Sequence, residues 1–248
     1  MSISLAIENL RICYGASVAV PGLSFFVESG SMTSLVGSNG AGKTSILRAI
    51  SGLLPIGGNI ILGGHLLHKA LPEARAALGL AHVPEGRHVF PGMTVLENLQ
   101  LGAYSRKDRE EARLIDEVEA LFPRLAERRH QLAGSLSGGE QQMLVIGRAL
   151  MCSPKIILLD EPTMGLSPQM IEVIIETLDR LRKHGFTLLV VEQNAVEAIR
   201  MSDMVYALRL GEVVDRGPGA AFHVDRLTSI YLDEQANLHA LSGDARHV

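Results

Sequence analysis

Short apolar runs alternate with segments of helical periodicity over much of the chain. Apolar runs bounded by Gly, Pro or acidic residues are typical of buried strands, whereas apolar residues three and four positions apart are typical of helices. Strands are predicted at 5–12, 23–27, 32–36, 59–62, 80–83, 156–159 and 187–191, with a closing pair at 204–208 and 212–215. Helices are predicted at 43–51 and 168–183 and after Asn194. This alternation predicts an α/β fold with a largely parallel sheet covered on both faces.

The middle third of the chain has a different, helical character. Thr94 and Glu97 form a T-x-x-E capping box, which predicts a helix start. The stretch 105–129 is dense in charged residues of both signs, typical of a solvated helix face. Its apolar residues at helical spacing are Leu114, Val118, Leu121 and Phe122. We therefore expect a helical lobe at 85–152, inserted between the two parts of the sheet, 1–84 and 153–235, and followed by a loose tail at 236–248.

Composition and charge exclude several classes of protein. The 248 residues are 47% hydrophobic and 20% charged, which fits one packed domain and excludes global disorder. No apolar run approaches the roughly 18 residues that a membrane helix needs. The start of the chain does not resemble a secretory signal, so we expect a cytoplasmic protein. The net charge is −4, whereas nucleic-acid binders usually carry an excess of positive charge. No nucleic acid is therefore expected as a partner.

Several residues are predicted to be structural. Pro21 and Gly22 predict a turn before the strand at 23–27. Cys13 and Cys152 lack metal-ligand spacing and are expected to be reduced thiols, with Cys152 buried. His82 and His184 flank predicted strands and are not expected to be catalytic. Met93, Met143 and Met151 are expected to fill the core.

A glycine-rich loop provides the first chemical motif. The segment 37–44, GSNGAGKT, matches G-x-x-x-x-G-K-[ST] and lies between a predicted strand and a predicted helix. In such a loop the backbone N–H groups and the helix N-terminus bind phosphate oxygens. Lys43 would reach the β- and γ-phosphates, and the Thr44 hydroxyl would bind Mg²⁺. The residues expected to contact ATP here are Gly37, Ser38, Asn39, Gly40, Ala41, Gly42, Lys43, Thr44 and Ser45.

Two adjacent acids end the apolar strand at 156–159. Ligands bind at the carboxyl ends of strands in open α/β sheets, so Asp160 and Glu161 are placed for chemistry. Asp160 is expected to hold Mg²⁺, and Glu161 is expected to polarise the attacking water as general base. Acids also end many strands without a function, but a P-loop in the same chain favours the catalytic interpretation.

The segment 136–142, LSGGEQQ, predicts a second helix N-terminus that is suited to binding an anion. Ser137 and Glu140 form another capping box, and Gly138 and Gly139 allow close backbone approach. One nucleotide cannot easily occupy two such sites in one subunit. A second copy of the site, completed across an interface, is the simpler arrangement.

The combination of these three motifs closely resembles the ATP-binding cassette family, over nearly the whole chain. The resemblance implies a P-loop NTPase core with a mostly parallel sheet, an antiparallel β subdomain near the N-terminus and an inserted helical subdomain. It also implies a head-to-tail dimer with two ATP molecules, each between one subunit's P-loop and the partner's signature residues. Those residues here are Ser137, Gly138, Gly139 and Glu140. Tyr14 falls where the family has an aromatic residue that stacks on adenine.

Two further segments, 82–91 and 191–195, resemble the smaller ATPase subunits of bacterial branched-chain amino-acid importers. Most cassettes carry Gln at the position of Glu85, His at that of Gln193 and Asp at that of Ser167. Glu85 can still reach Mg²⁺ or its water. Gln193 can donate a hydrogen bond to a γ-phosphate oxygen but cannot become cationic, so we expect modest hydrolysis by the isolated chain.

The resemblance implies an ATP-hydrolysing subunit, peripheral on the cytoplasmic face of a bacterial inner membrane. Its partners would be transmembrane permease subunits, a second ATPase subunit in a heterodimer or a homodimer, and, indirectly, a periplasmic solute-binding protein. A urea-type importer, a lipid exporter and a non-transport regulatory ATPase stay open as alternatives. The stretch from Lys43 to Ser137 is too short for the coiled coil of DNA-repair cassettes.

Overall fold

The computed structural model of the protein describes residues 5–104, 106 and 110–222. Ten strands in these ranges form two sheets, and eight α-helices accompany them. The strands are β1 Leu5–Tyr14, β2 Ser17–Val27, β3 Met32–Gly37, β4 Gly57–Leu62, β5 His65–Leu66, β6 Leu80–Val83, β7 Ile156–Asp160, β8 Thr187–Glu192, β9 Met204–Arg209 and β10 Glu212–Pro218. The helices are α1 Lys43–Ile50, α2 Pro72–Ala77, α3 Val95–Gly102, α4 Glu111–Leu121, α5 Pro123–Glu127, α6 Gly138–Leu150, α7 Pro168–Lys183 and α8 Ala195–Met201. The predicted tail at 236–248 lies outside the described residues.

The larger sheet has six strands in the order β10-β9-β3-β8-β7-β6. All neighbours pair in parallel except the closing β9–β10 pair, which is antiparallel. β3, β7 and β8 are buried along their whole length, because α6, α7 and α8 pack on one face of the sheet and α1 with β1, β2 and β4 packs on the other. The predicted mostly parallel α/β fold is confirmed.

The smaller sheet is antiparallel, in the order β2-β1-β4-β5. The predicted turn at Pro21 and Gly22 is wrong, since both residues lie inside β2. β2 is an edge strand, where proline removes no ladder hydrogen bond that a neighbour needs. The register also shifts between the pairs Leu10–Leu23 and Ile12–Val20. Pro21 and Gly22 therefore lie in a β-bulge of β2.

Four helices, α3 to α6, follow β6 and precede β7. Both predicted capping boxes are present: Thr94 caps α3 with Glu97, and Ser137 caps α6 with Glu140. Met143 and Met151 are buried as predicted. Cys152 is exposed, which corrects the expectation of a buried thiol. It follows α6 in a surface turn, with its Sγ 3.1 Å from the Gly102 carbonyl oxygen.

The phosphate-loop helix α1 is fixed at its C-terminal end by a buried cation. The Arg75 guanidinium, in a side chain that is 3% exposed, donates to Ala49 O at 2.8 Å and Ile50 O at 2.7 Å. It also donates to the carbonyl oxygens of Leu67 and Ala70, both at 2.9 Å. Arg75 thus adds a positively charged donor to the carbonyls at this helix end, where Ala49 O also accepts from Gly52 N at 3.0 Å.

No helix in the described ranges combines the length and the apolar character needed to span a membrane.

Candidate functional site

The glycine-rich loop joins the central strand β3 to helix α1. Gly42, the residue before α1, has φ +92°, and a Cβ there would lie 3.1 Å from Val20 Cγ2. A side chain at this position would therefore be strained and crowded. Lys43 begins the helix, is buried, and donates from Nζ to Gly37 O at 2.9 Å and to Ser38 O at 3.1 Å. The loop thus folds around its own lysine.

The carboxylate pair lies two strands away, at the end of β7. Thr44 Oγ1 donates to Asp160 Oδ1 at 3.2 Å, which connects the first turn of α1 to this strand. Burial is the main cause that raises the pKa of Asp160 to about 6. The charges of Glu161 and Glu85 raise this pKa further, whereas the Thr44 hydrogen bond and the Lys43 charge oppose the shift.

Glu161 follows Asp160 in a strained backbone conformation. Its φ is +47°, in the left-handed region that non-glycine residues adopt rarely and most often at functional sites. Its N–H donates to Val191 O of β8 at 2.9 Å. The carboxylate oxygen Oε1 lies 3.5 Å from Lys43 Nζ. The strained turn thus directs the acid toward the phosphate-loop lysine.

Residues from five separate segments line one cavity of about 360 Å³. The predicted site residues in its wall are Lys43, Thr44, Ser45, Asn39, Gly40, Gly42, Glu85, Glu161 and Gln193. Ala19 and Met164, which the sequence did not single out, complete the lining. Asp160 and Ala41 are buried next to this wall, and Tyr14 lies beside it, 46% exposed, with its hydroxyl 3.1 Å from Ser45 Oγ. The structure therefore assembles the predicted P-loop, carboxylate and loop residues at one place.

These groups fit a magnesium ion that also binds phosphate. The Thr44 hydroxyl and the carboxylates of Asp160, Glu85 and Glu161 are hard oxygen donors of the kind that Mg²⁺ prefers. In the described ranges no cluster of three His, Cys, Asp or Glu side chains could hold a metal ion by itself. A cation here would therefore complete its coordination with phosphate oxygens and water, as Mg²⁺ does in nucleotide sites.

The predicted signature residues lie apart from this cavity. None of Ser137, Gly138, Gly139 or Glu140 belongs to its wall. Ser137 N donates to Glu140 Oε2 at 2.8 Å, and Glu140 Oε1 accepts from Arg128 Nε at 2.6 Å, so the start of α6 is well ordered by its own side chains. This separation within one chain is what a site shared between two subunits requires.

Sequence reasoning missed Arg87, which connects the signature to the loop after Glu161. Its φ is +64°, and Nη2 donates to Gly165 O at 3.0 Å. Nη1 packs so closely on Gly138 that a Cβ there would lie 2.5 Å from it. Two residues with positive φ in succession, Arg87 and His88, could not be found from the sequence, since neither is glycine, the residue type that marks such a backbone most reliably.

Comparison with known proteins identifies the family. The sequence model described as ABC transporter matches residues 20–164, a segment that contains the P-loop, the signature and the carboxylate pair. The chain belongs to the ABC transporter family. Members of this family are ATPases, and this chain is an ATP-binding and ATP-hydrolysing subunit of that family.

Two curated ABC transporter relatives have closely similar sequences. The high-affinity branched-chain amino acid transport ATP-binding protein BraG of Pseudomonas aeruginosa is 42% identical, over 88% of this chain and 94% of that protein. The probable branched-chain amino acid transport ATP-binding protein LivF of Archaeoglobus fulgidus is 38% identical, over 77% of this chain and 82% of that protein. Among solved structures, a nucleotide-free ATP-binding cassette from an ABC transporter superposes with a TM-score of 0.80 at 28% identity, over 88% of this chain and 92% of the other.

Proposed function

We propose that this ABC ATPase energises a bacterial importer of branched-chain amino acids. The observation that carries the ATPase chemistry is the convergence of Lys43, Thr44, Glu85, Glu161 and Gln193 on one cavity. The transported solute makes no contact with this subunit, so the amino-acid assignment rests on similarity to the two branched-chain relatives.

Each group in the cavity has a proposed role. The P-loop amides and Lys43 bind the β- and γ-phosphates, and Tyr14 stacks on the adenine. Glu161 is the general base for the attacking water, and Gln193 donates to a γ-phosphate oxygen. Thr44, Asp160 and Glu85 hold Mg²⁺, directly or through water. When bound, Mg²⁺ neutralises charge that develops on the phosphates.

A head-to-tail dimer completes each site in this proposal. The partner subunit would supply its own signature, equivalent to the segment 137–140, to the γ-phosphate held by this chain's P-loop. Closure of the dimer around ATP would drive the transmembrane permease subunits. The second subunit is either a different ABC ATPase or another copy of this chain, and the assembly lies on the cytoplasmic face of the inner membrane. A periplasmic solute-binding protein takes part indirectly.

A lipid exporter is the second candidate. The lipopolysaccharide export ATP-binding protein LptB of Haemophilus influenzae is 31% identical over 94% of this chain and 99% of that protein. Lipid exporters and urea-type importers are expected to keep Gln at the position of Glu85. The acid at position 85 therefore favours the amino-acid branch.

An affinity pull-down of the tagged chain from gently solubilised native membranes tests the transport proposal. We expect two permease chains and a second, larger ABC ATPase to co-purify, identified by mass spectrometry. Reproducible recovery of soluble partners alone, with ATP present, would contradict a transport role and favour a regulatory ATPase. Recovery of a lipid-export permease would favour the second candidate.

A further inference from the structure

One buried acid, Glu192, has no role in the chemistry proposed above. It is the last residue of β8 and is 2% exposed. Its Oε1 accepts from Thr163 N at 3.2 Å and from Thr163 Oγ1 at 2.8 Å. In the part of the chain that the structure describes, no lysine, arginine or histidine forms an ion pair with it. Its partners are neutral donors.

Both donors belong to the segment that carries the proposed general base. Thr163 lies two residues after Glu161, in the turn between β7 and α7. Gln193 follows Glu192 directly in the chain, at the end of β8. Glu192 therefore joins the segment of the general base to the segment of the γ-phosphate-binding amide.

A second cavity shows the same grouping. Glu161, Thr163, Glu192 and Gln193 share the wall of a cavity of about 440 Å³. Glu161 and Gln193 also line the P-loop cavity, whereas Glu192 and Thr163 do not. A change in the Glu192–Thr163 contact would thus be transmitted directly to Glu161 and Gln193.

The cost of burying this carboxylate argues for a function. Burial is the main cause that raises the pKa of Glu192 to about 7, and the Glu161 charge raises it further, against the opposing hydrogen bonds from Thr163. An apolar residue would avoid this desolvation penalty in a fully buried strand. The acid accepts both the N–H and the hydroxyl of Thr163, which an apolar side chain cannot do.

We propose that Glu192 is a positioning residue for ATP hydrolysis, which fixes Glu161 relative to Gln193 because its carboxylate holds Thr163 and its backbone leads directly into Gln193. This proposal rests on the proposed catalytic roles of Glu161 and Gln193. It assigns Glu192 no contact with ATP or metal. It predicts an effect on the hydrolytic step and little effect on nucleotide binding.

Matched substitutions at both ends of the contact test this role. Glu192→Gln keeps the shape but leaves one acceptor oxygen instead of two. Thr163→Val removes the hydroxyl donor at constant volume, and Thr163→Ser restores it. Steady-state ATPase kinetics and ATP binding would be measured on the full chain, with Glu176→Gln, an exposed acid on α7, as control.

We expect Glu192→Gln and Thr163→Val to lower kcat about tenfold, with KM for ATP and ATP affinity changed less than twofold, because misplaced catalytic groups slow chemistry rather than binding. Thr163→Ser and Glu176→Gln should retain wild-type kcat. Unchanged kcat in both Glu192→Gln and Thr163→Val would overturn the proposal, as would a parallel loss of ATP binding. If Glu192→Gln does not fold, the Thr163→Val and Thr163→Ser pair decides.

Wild-type and Glu161→Gln assays separate this inference from the proposed function. A wild-type chain that hydrolyses ATP and a silent Glu161→Gln variant would uphold the catalytic assignment. In that case normal rates in the Glu192 and Thr163 variants would overturn the positioning role alone. A Glu161→Gln variant with wild-type turnover would contradict the catalytic assignment itself.

Discussion

The Lys43 ammonium lies 3.5 Å from the Glu161 carboxylate, and the two side chains are only 5% and 9% exposed. The same nitrogen also donates to two carbonyls of its own loop. The phosphate-binding cation and the proposed general base thus share one buried contact before phosphate enters. Binding of a γ-phosphate would replace this contact and leave the carboxylate free to accept a proton from water.

Glu161→Gln should separate hydrolysis from binding. The amide cannot accept the proton, so we expect kcat to fall by about 100-fold or more. It also no longer competes with phosphate for Lys43, so ATP affinity should be unchanged or higher, and the ATP-bound dimer should accumulate. Phosphate release, ATP titration and light scattering with MgATP measure the three effects. A turnover rate equal to that of wild type would remove Glu161 from the chemistry.

Gln193→His tests whether the amide limits hydrolysis. A histidine in this place can become cationic and would bind a γ-phosphate oxygen more strongly than a neutral amide. We therefore expect a several-fold higher ATPase rate and dimerisation at lower ATP concentration. Gln193→Ala removes the amide donor and should lower the ATPase rate. No change in either property of the histidine variant would show that Gln193 does not sense phosphate.

His82 should make the protein less stable in mild acid. Its Nδ1 lies 2.9 Å from Ser51 Oγ, and its Nε2 is buried without a partner in the described ranges. Burial, and secondly the Arg48 charge, lower the pKa of His82 to about 4. Because the unfolded chain takes up a proton near pH 6.5 and the folded chain does not, the stabilisation is complete above pH 6.5 and is lost as the pH falls toward 4.

Urea unfolding at pH 7 and pH 5 measures this effect. The His82 contribution to the free energy of unfolding should fall by about 2 kcal/mol between these pH values. His82→Asn retains a polar group near Ser51 but does not titrate. Between the two pH values, its free energy of unfolding should therefore fall by about 2 kcal/mol less than that of wild type. His65→Asn, at an exposed position, is the control and should behave as wild type. An equal pH dependence in wild type and His82→Asn would contradict the burial of a neutral imidazole.

Arg75→Met should destabilise the fold far more than loss of a surface arginine. The substitution removes all four hydrogen bonds, although Ala49 O and Leu67 O keep their backbone donors, Gly52 N and Ala70 N. We expect a loss of about 3 kcal/mol or more in the free energy of unfolding. Arg124→Met, which removes only an exposed pair with Glu127, should cost less than about 0.5 kcal/mol. Similar losses in the two variants would show that the Arg75 contacts add nothing.

The sequence predicted the central sheet because its strands are buried on both faces. Such strands are continuous apolar runs, as at 156–159 and 187–191, and they differ clearly from helical periodicity. The edge strand β2 was harder to predict, since an edge tolerates Pro21 and a bulge that elsewhere would end a strand. Helix α2 was not predicted because six residues carry too little periodicity.

Part of the candidate site could be predicted because its residues are close in sequence. The P-loop and the Asp160–Glu161 pair are each contained in one short segment whose spacing is itself the signal. Glu192 and Arg87 were missed because their partners are 29 and 78 residues away along the chain. No local pattern shows that a buried acid faces the N–H of Thr163, or that a guanidinium reaches Gly165.

β8 lies between β3 and β7 in the central sheet, so the segments that follow β3 and β7 start two strand spacings apart, roughly 9–10 Å. Gln193, which follows β8, enters the gap between them. The ladder of backbone hydrogen bonds therefore sets the separation of the phosphate-binding loop from the hydrolytic acid, and side-chain identity does not alter it. An acid at position 85 or an amide at position 193 changes the charge in this gap but leaves its width unchanged. The charge at these two positions can therefore change while the strand spacing stays the same.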